Sequence, residues 1–389
     1  MKKTWRWFGP SDPITLAMLR QIGVQAIATS LHHIPSGQVW EYVEIARLKQ
    51  HIESFGLTWE VVETLPVHES IKYDGGQADE MVNCYKQSLA NIAKAGIHTV
   101  CYNFMPLIEK VRTDLYFPLP NGGHTHYFDP IRFAYFDMHI LQRPYAQYNY
   151  TQECLAAVEC LASVITPQEK QQLTETILIE TQDFMYGIPV KKISTSVSNF
   201  SKLLEYYVDT GREQLRRNLA NFLKQVVPFA ERHGVVLAIH PDDPPFPLFG
   251  LPRVVSSVED IDYILHAVDS HYNGLTFCAG ALAAGLHNNV ESLARRFAER
   301  THLLHLRSIH LHPDSAFSES SLLDGYPNII ELARIFETQR PLIHYHIDYG
   351  HHILQDLDTA PYNPGYSFLG RMLAFAQMEG VITTINQHN

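Results

Sequence analysis

The sequence predicts a (β/α)8 barrel, a single domain over residues 1–389 with an insertion at 110–200. Three observations predict it. Eight short runs rich in Val, Ile, Leu or aromatics recur along the chain, and a helical pattern follows nearly every one. Four consecutive runs in the second half end in a side chain that can bind a metal. Strands alternating with helices read as βα units joined by right-handed crossovers. A doubly wound open sheet is the alternative, but no Gly-rich dinucleotide fingerprint follows any run.

The eight strand candidates are TWRWFG (4–9), AIATSLH (26–32), TWEVVET (58–64), TVCYNFM (99–105), VVLAIHP (235–241), LTFCAG (275–280), LLHLRSI (303–309) and LIHYHID (342–348). After the first comes SDPITLAMLRQIG, with Ser11 or Asp12 as its cap and Gly23 as its stop. After the second comes VWEYVEIARLKQHIESFG, ending at Gly56. GREQLRRNLANFLKQVVPFAERHG leads into the fifth and stops at Gly234. NVESLARRFAER, NIIELARIFETQ and GYSFLGRMLAFAQMEG supply the later helices.

The cadence breaks once, between the fourth and fifth runs, over a stretch longer than a crossover needs. Residues 116–150 are rich in Tyr, Phe, Pro and His, with a turn-like PNGGHTHYFDP. TQECLAAVECLASVITPQEKQQLTETILIETQ then reads as one or two helices. Long ordered loops are commonly functional, so 110–200 is expected to be a helical lid over the barrel mouth.

Composition narrows the function. A net charge of −11 argues against nucleic acid or an anionic membrane as partner. It is compatible with an anionic small molecule if Arg or Lys lies in the pocket. No stretch approaches the roughly 18 apolar residues of a membrane span. The opening MKKTWRWFGPSD lacks the apolar region of a signal peptide. Five scattered cysteines, Cys84, Cys101, Cys154, Cys160 and Cys278, suggest reduced thiols and a cytoplasmic protein.

In a parallel barrel, residues at the carboxyl ends of the strands converge on one face. His240, Cys278, His305 and Asp348 hold such positions. Strand alternation puts Arg307 on the same face as His305, and His344 and His346 on the same face as Asp348. Polar side chains packed there need partners, and a metal or an anion would supply them. With 22 histidines in the chain, one histidine at a strand end means little; four donor residues on four consecutive strands mean more. Imidazole, thiolate and carboxylate suit Zn²⁺, Fe²⁺, Co²⁺ or Mn²⁺, and a thiolate argues against Mg²⁺ and Ca²⁺.

The chain resembles the mannonate dehydratases of hexuronate (glucuronate) breakdown nearly end to end. The resemblance is carried by WRWFGPSDP (5–13), LHHIPSGQVW (31–40), YNFMP (102–106), RTDL (112–115), NLANFLKQVVPFAERHGV (218–235), AIHPDDPP (238–245), FCAG (277–280), HLRSI (305–309) and PGYSFLGR (364–371). It implies a xylose-isomerase-like barrel and a metal-dependent lyase turning D-mannonate into 2-dehydro-3-deoxy-D-gluconate and water. The family's ligands fall on His240, Cys278, His305 and Asp348, its metal is Mn²⁺ or Fe²⁺, and its catalytic tyrosine falls on Tyr366. It also implies a homo-oligomer. Two positions depart: Tyr349 stands where the family has its proton-transferring histidine, and Val111 stands in place of a tryptophan.

The chemistry removes a weakly acidic proton α to a carboxylate and expels the β hydroxyl, so it needs positive charge, a base and an acid. Tyr366 remains available, and a phenol beside a cation can take the histidine's place at Tyr349; His351 and His352 are neighbouring substitutes. Arg307 is the first candidate for the substrate carboxylate and Arg112 the second, because guanidinium binds carboxylates bidentately. His32, with His33, is placed to meet substrate hydroxyls, and Asp242 and Asp243 either support His240 or cap a turn. Two other readings stay open: an isomerase, epimerase or dehydratase of a related sugar or sugar acid, and a catalytically impaired sugar-acid binder.

Overall fold

The computed structural model describes residues 1–182, 196–357 and 362–387. In chain order its strands are β1 Lys2–Arg6, β2 Ala26–Thr29, β3 Thr58–Glu63, β4 Thr99–Tyr102, β5 Asp114–Pro118, β6 His124–Phe128, β7 Val236–Ile239, β8 Asn273–Cys278, β9 Thr301–Leu306, β10 Ile309–Leu311, β11 Phe317–Glu319 and β12 His344–Ile347. β1–β4, β7–β9 and β12 close into a barrel in the order β1-β12-β9-β8-β7-β4-β3-β2, all parallel. These are the eight runs predicted from sequence.

The strands' outward residues join the helices in one large apolar cluster. Inside, Ala28, Val61, Cys101 and Leu303 pack from β2, β3, β4 and β9 into a small cluster of their own. Thr276 donates to Cys101 Sγ across this layer at 3.1 Å. Side chains alternate along a strand, so the residues two positions further face inward again. Those residues are Ser30, Glu63, Asn103 and His305, joined by Cys278 two beyond Thr276. The apolar plug thus carries a polar layer directly above it, at the carboxyl end.

Local signals set most helix ends. Ser257, Asn289 and Asn328 accept backbone N–H groups at the starts of helices Val258–Ala267, Val290–Phe297 and Ile329–Gln339. The first helix, Leu16–Gln21, is capped by Thr15 rather than by Ser11 or Asp12. Asp12 instead accepts from Phe8 N and Ile14 N in the turn before it.

The insertion differs from expectation at its start. Where the sequence predicts a helical segment over 110–200, the chain first makes an antiparallel hairpin of β5 and β6. Its turn is closed by Leu119 N to Gly123 O and by Asn121 Oδ1 accepting from Gly123 N. Helices Pro130–Tyr135, Gln152–Val164 and Pro167–Glu175 follow. Residues 183–195 of the predicted insertion lie outside the described residues. β6 pairs with β11, and β11 with β10, so the excursion after β9 completes a four-stranded sheet ordered β10-β11-β6-β5. Among the described residues no helix is long and apolar enough to cross a membrane.

Candidate active site

β7, β8 and β9 bring His240, Cys278 and His305 together, with donor atoms within 4.8 Å of one another. Asp348, just after β12, places Oδ2 3.8 Å from Cys278 Sγ. The four residues chosen from strand ends therefore share one place.

Their surroundings prepare them as donors. His240 Nδ1 lies 2.6 Å from Pro241 O. A carbonyl only accepts, so the proton sits on Nδ1 and Nε2 keeps its lone pair. Burial depresses the pKa of both His240 and His305, so both rings are neutral. His305 is 1% exposed, and among the described residues neither of its ring nitrogens makes a hydrogen bond. A buried imidazole without a hydrogen bond is costly, and a divalent cation would relieve that cost. Burial opposes ionisation of Asp348, but Arg307, Lys110 and His346 hold its carboxyl below the usual range. Burial and Asp348 push the Cys278 thiol up, so thiolate ligation there requires a cation. This donor set fits a transition-metal ion of intermediate softness.

Glu63 faces the quartet from β3. Its Oε1 lies 3.5 Å from His305 Nε2 and 3.2 Å from Arg6 Nη1, and its Oε2 2.9 Å from His346 Nε2. Burial disfavours its charge, yet His346 and Arg6 keep it ionised. Tyr366 donates to Asp348 Oδ1 at 3.0 Å, and burial together with Asp348 raises its pKa well above that of a free phenol. The hydroxyl is therefore a neutral donor. Tyr349 lies beside it, with ring centroids 5.1 Å apart. Both tyrosines line a cleft with Arg6, Glu63, Lys110 and His240.

The two arginines expected to bind substrate do something else. Arg307 Nε and Nη2 bond Glu319 at 2.7 and 2.8 Å, and its Nη1 bonds Asp243 at 2.7 Å. Arg112 bonds Asp243 at 3.0 Å, Glu319 at 2.8 Å and the Val111 carbonyl at 2.7 Å. Both guanidinium groups are buried and engaged, so neither presents a free fork to a ligand. Gly280 explains the Cys-x-Gly spacing: a Cβ there would stand 2.4 Å from Arg307 Cγ.

His32 also lies elsewhere. It stacks on Phe8 at 5.9 Å, Phe8 meets Tyr366 edge-on, and His32 lines a neighbouring groove with Leu31, Arg47 and His51. His33 lies in that groove too, 3.4 Å from Glu44. Asp242 clamps the following loop by accepting from Val255 N and Ser256 Oγ. His351 is bonded to the Glu319 carbonyl, and His352 accepts from Gly365 N, so both are held by backbone. Gly365 of the Pro-Gly-Tyr turn has φ +77°, and a Cβ there would strike the Tyr349 ring at 2.5 Å.

Sequence reasoning missed Arg6, Glu63, Lys110 and Glu319. Glu63 and Arg6 carried a signal, since each is a charged residue inside a predicted apolar strand, 58–64 and 4–9. Lys110 and Glu319 lie on or beside strands whose short, irregular patterns hid them.

Fold and site together define a (β/α)8-barrel enzyme with its chemistry at the carboxyl ends of the strands. A family model described as D-mannonate dehydratase (UxuA) matches residues 1–389. A mannonate dehydratase of Chromohalobacter salexigens is 42% identical over 396 residues, covering 100% of this chain and 99% of the relative. The crystal structure of mannonate dehydratase from Streptococcus suis serotype 2 superposes with a TM-score of 0.78 at 28% identity, covering 100% of this chain and 94% of that one. A xylose isomerase domain protein from Alicyclobacillus acidocaldarius shares the fold, with a TM-score of 0.51 at 10% identity over 99% of both chains. The chain belongs to the D-mannonate dehydratase family, whose members are hydro-lyases.

Proposed function

We propose that the chain removes water from D-mannonate to give 2-dehydro-3-deoxy-D-gluconate, in the breakdown of hexuronates. The convergence of His240, Cys278, His305 and Asp348 beside the Tyr366–Tyr349 cleft carries this reading within the family. Those four residues would hold Mn²⁺ or Fe²⁺. Such an ion, when bound, polarises a substrate oxygen and eases departure of hydroxide.

The chain's own residues supply the rest. The substrate loses a proton from C2 and the hydroxyl from C3, and the resulting enol becomes the 2-keto acid. Tyr366, held protonated against Asp348, is placed to donate to a leaving oxygen. Tyr349 occupies the position of the family's proton-transferring histidine and faces the same cleft, so its phenol takes that role here. Arg6 and Lys110 set positive charge around the cleft, where the developing enediolate requires it. The protein is read as a cytoplasmic homo-oligomer without nucleic-acid or membrane partners, in keeping with its net charge of −11.

The test is turnover of D-mannonate by metal-stripped protein reconstituted with Mn²⁺ or Fe²⁺ under reducing conditions, scored for the 2-keto-3-deoxy acid. Metal-dependent product is expected. Tyr349 favours one second reading, a related aldonic acid as substrate. Epimeric aldonates in the same assay separate the two, and a product that retains its water would point to isomerisation.

A further inference from the structure

Arg307 and Arg112 are both bound to Asp243 and Glu319, so the cation that meets a sugar-acid carboxylate must come from elsewhere. Arg6 and Lys110 both line the cleft. Arg6 is matched by Glu63 at 3.2 Å, and its guanidinium lies over the rings of Phe8 and Tyr366. Lys110 comes from the opposite wall, at the start of the insertion. Its side chain is 4% exposed, and Nζ stands 3.2 Å from the centre of the Tyr349 ring and 4.0 Å from Asp243 Oδ2. Arg307 faces the same ring at 4.9 Å.

The electrostatics point the same way. Burial, and then the charge of Arg112, depress the Lys110 pKa well below that of an ordinary lysine. Asp243 and Glu319 counter this only in part, because each is already shared by two guanidinium groups. A carboxylate arriving beside Nζ would favour the ammonium form and be held by it.

We propose that Lys110 is the carboxylate anchor of this enzyme, and that Tyr349 is the platform that holds its ammonium over the cleft. This rests on the sugar-acid dehydratase reading and deepens it. A carboxylate fixed at Nζ brings the adjacent C2 to the side of the cleft where Tyr349 and Tyr366 stand 5.1 Å apart. The pairing also gives Tyr349 a second reason to replace histidine. The face of a phenol ring attracts an ammonium group, whereas an imidazole edge would add a competing donor.

The experiment compares D-mannonate with its uncharged amide, D-mannonamide, in calorimetric binding to metal-replete wild type, Lys110→Gln and Lys110→Arg, alongside kcat and KM for D-mannonate. Wild type is expected to prefer the acid by roughly 10-fold or more, as for a charge-assisted hydrogen bond. In Lys110→Gln that preference collapses and KM for D-mannonate rises by the same factor, with metal content unchanged. Lys110→Arg retains part of the preference and guards against a folding defect in the glutamine variant. A preference unaltered in Lys110→Gln, or a fall in kcat with KM intact, overturns the assignment. Absence of turnover by wild type fails the dehydratase reading instead, while the acid-to-amide ratio still decides the role of Lys110.

Discussion

The Tyr366 hydroxyl donates a 3.0 Å hydrogen bond to Asp348 Oδ1, tying the one proton donor of the Pro-Gly-Tyr turn to the carboxylate that follows β12. Tyr366→Phe removes the proton and keeps the ring against Phe8. It is expected to lower kcat by ~10²–10⁴-fold, the range of a lost general acid, with bound metal and melting temperature nearly unchanged. Steady-state kinetics and metal analysis check this.

Tyr349→Phe keeps the ring beneath Lys110 and deletes only the hydroxyl. If that hydroxyl moves a proton, kcat falls by at least ~10²-fold while KM stays within about twofold. A variant as active as wild type would leave Tyr349 as a platform alone.

Cys278 sits 3.8 Å from Asp348 and within 4.8 Å of the donor atoms of His240 and His305. Chelation is expected to abolish product formation and lower the melting temperature, and Mn²⁺ or Fe²⁺ to restore both. An ion at 100 times its Kd adds about 2.7 kcal/mol to a folded state that alone binds it. Cys278→Ala should weaken the affinity by more than the ~10–100-fold lost when an outer partner of a ligand is removed. Thermal melts titrated with metal read both effects.

Arg307→Leu leaves Asp243 and Glu319 buried with one cation fewer. Breaking a buried ion-pair network by removing one partner costs about 3–5 kcal/mol. Urea denaturation should show that loss. If the stability is unchanged and only KM rises, Arg307 binds substrate after all.

The barrel strands were legible because a parallel strand buried on both faces is a short apolar run, and its inward end residues follow by alternation. His240, Cys278, His305 and Asp348 came from that logic, and Tyr366 from the family motif. Arg112 and Arg307 were misjudged for a physical reason. Their partner Glu319 lies 207 residues from Arg112, on a three-residue strand in PDSAFSES that has no periodicity to announce it. The β5–β6 hairpin did carry a sign, the Asn-Gly pair at 121–122 between β-prone stretches, but its aromatic flanks read as lid. Nothing local marks Lys110, whose role depends on the Tyr349 ring brought over it from the far end of the chain.

The four-stranded sheet has a consequence for anyone recombining these enzymes. Its strands come from two distant stretches, and the Arg112–Glu319 contact fastens one to the other. A chimera that imported only the stretch beginning at Arg112 would carry a buried cation away from its anion, and would leave β11 without β6 as its neighbour. The module that can be exchanged is discontinuous, and 309–319 must travel with it.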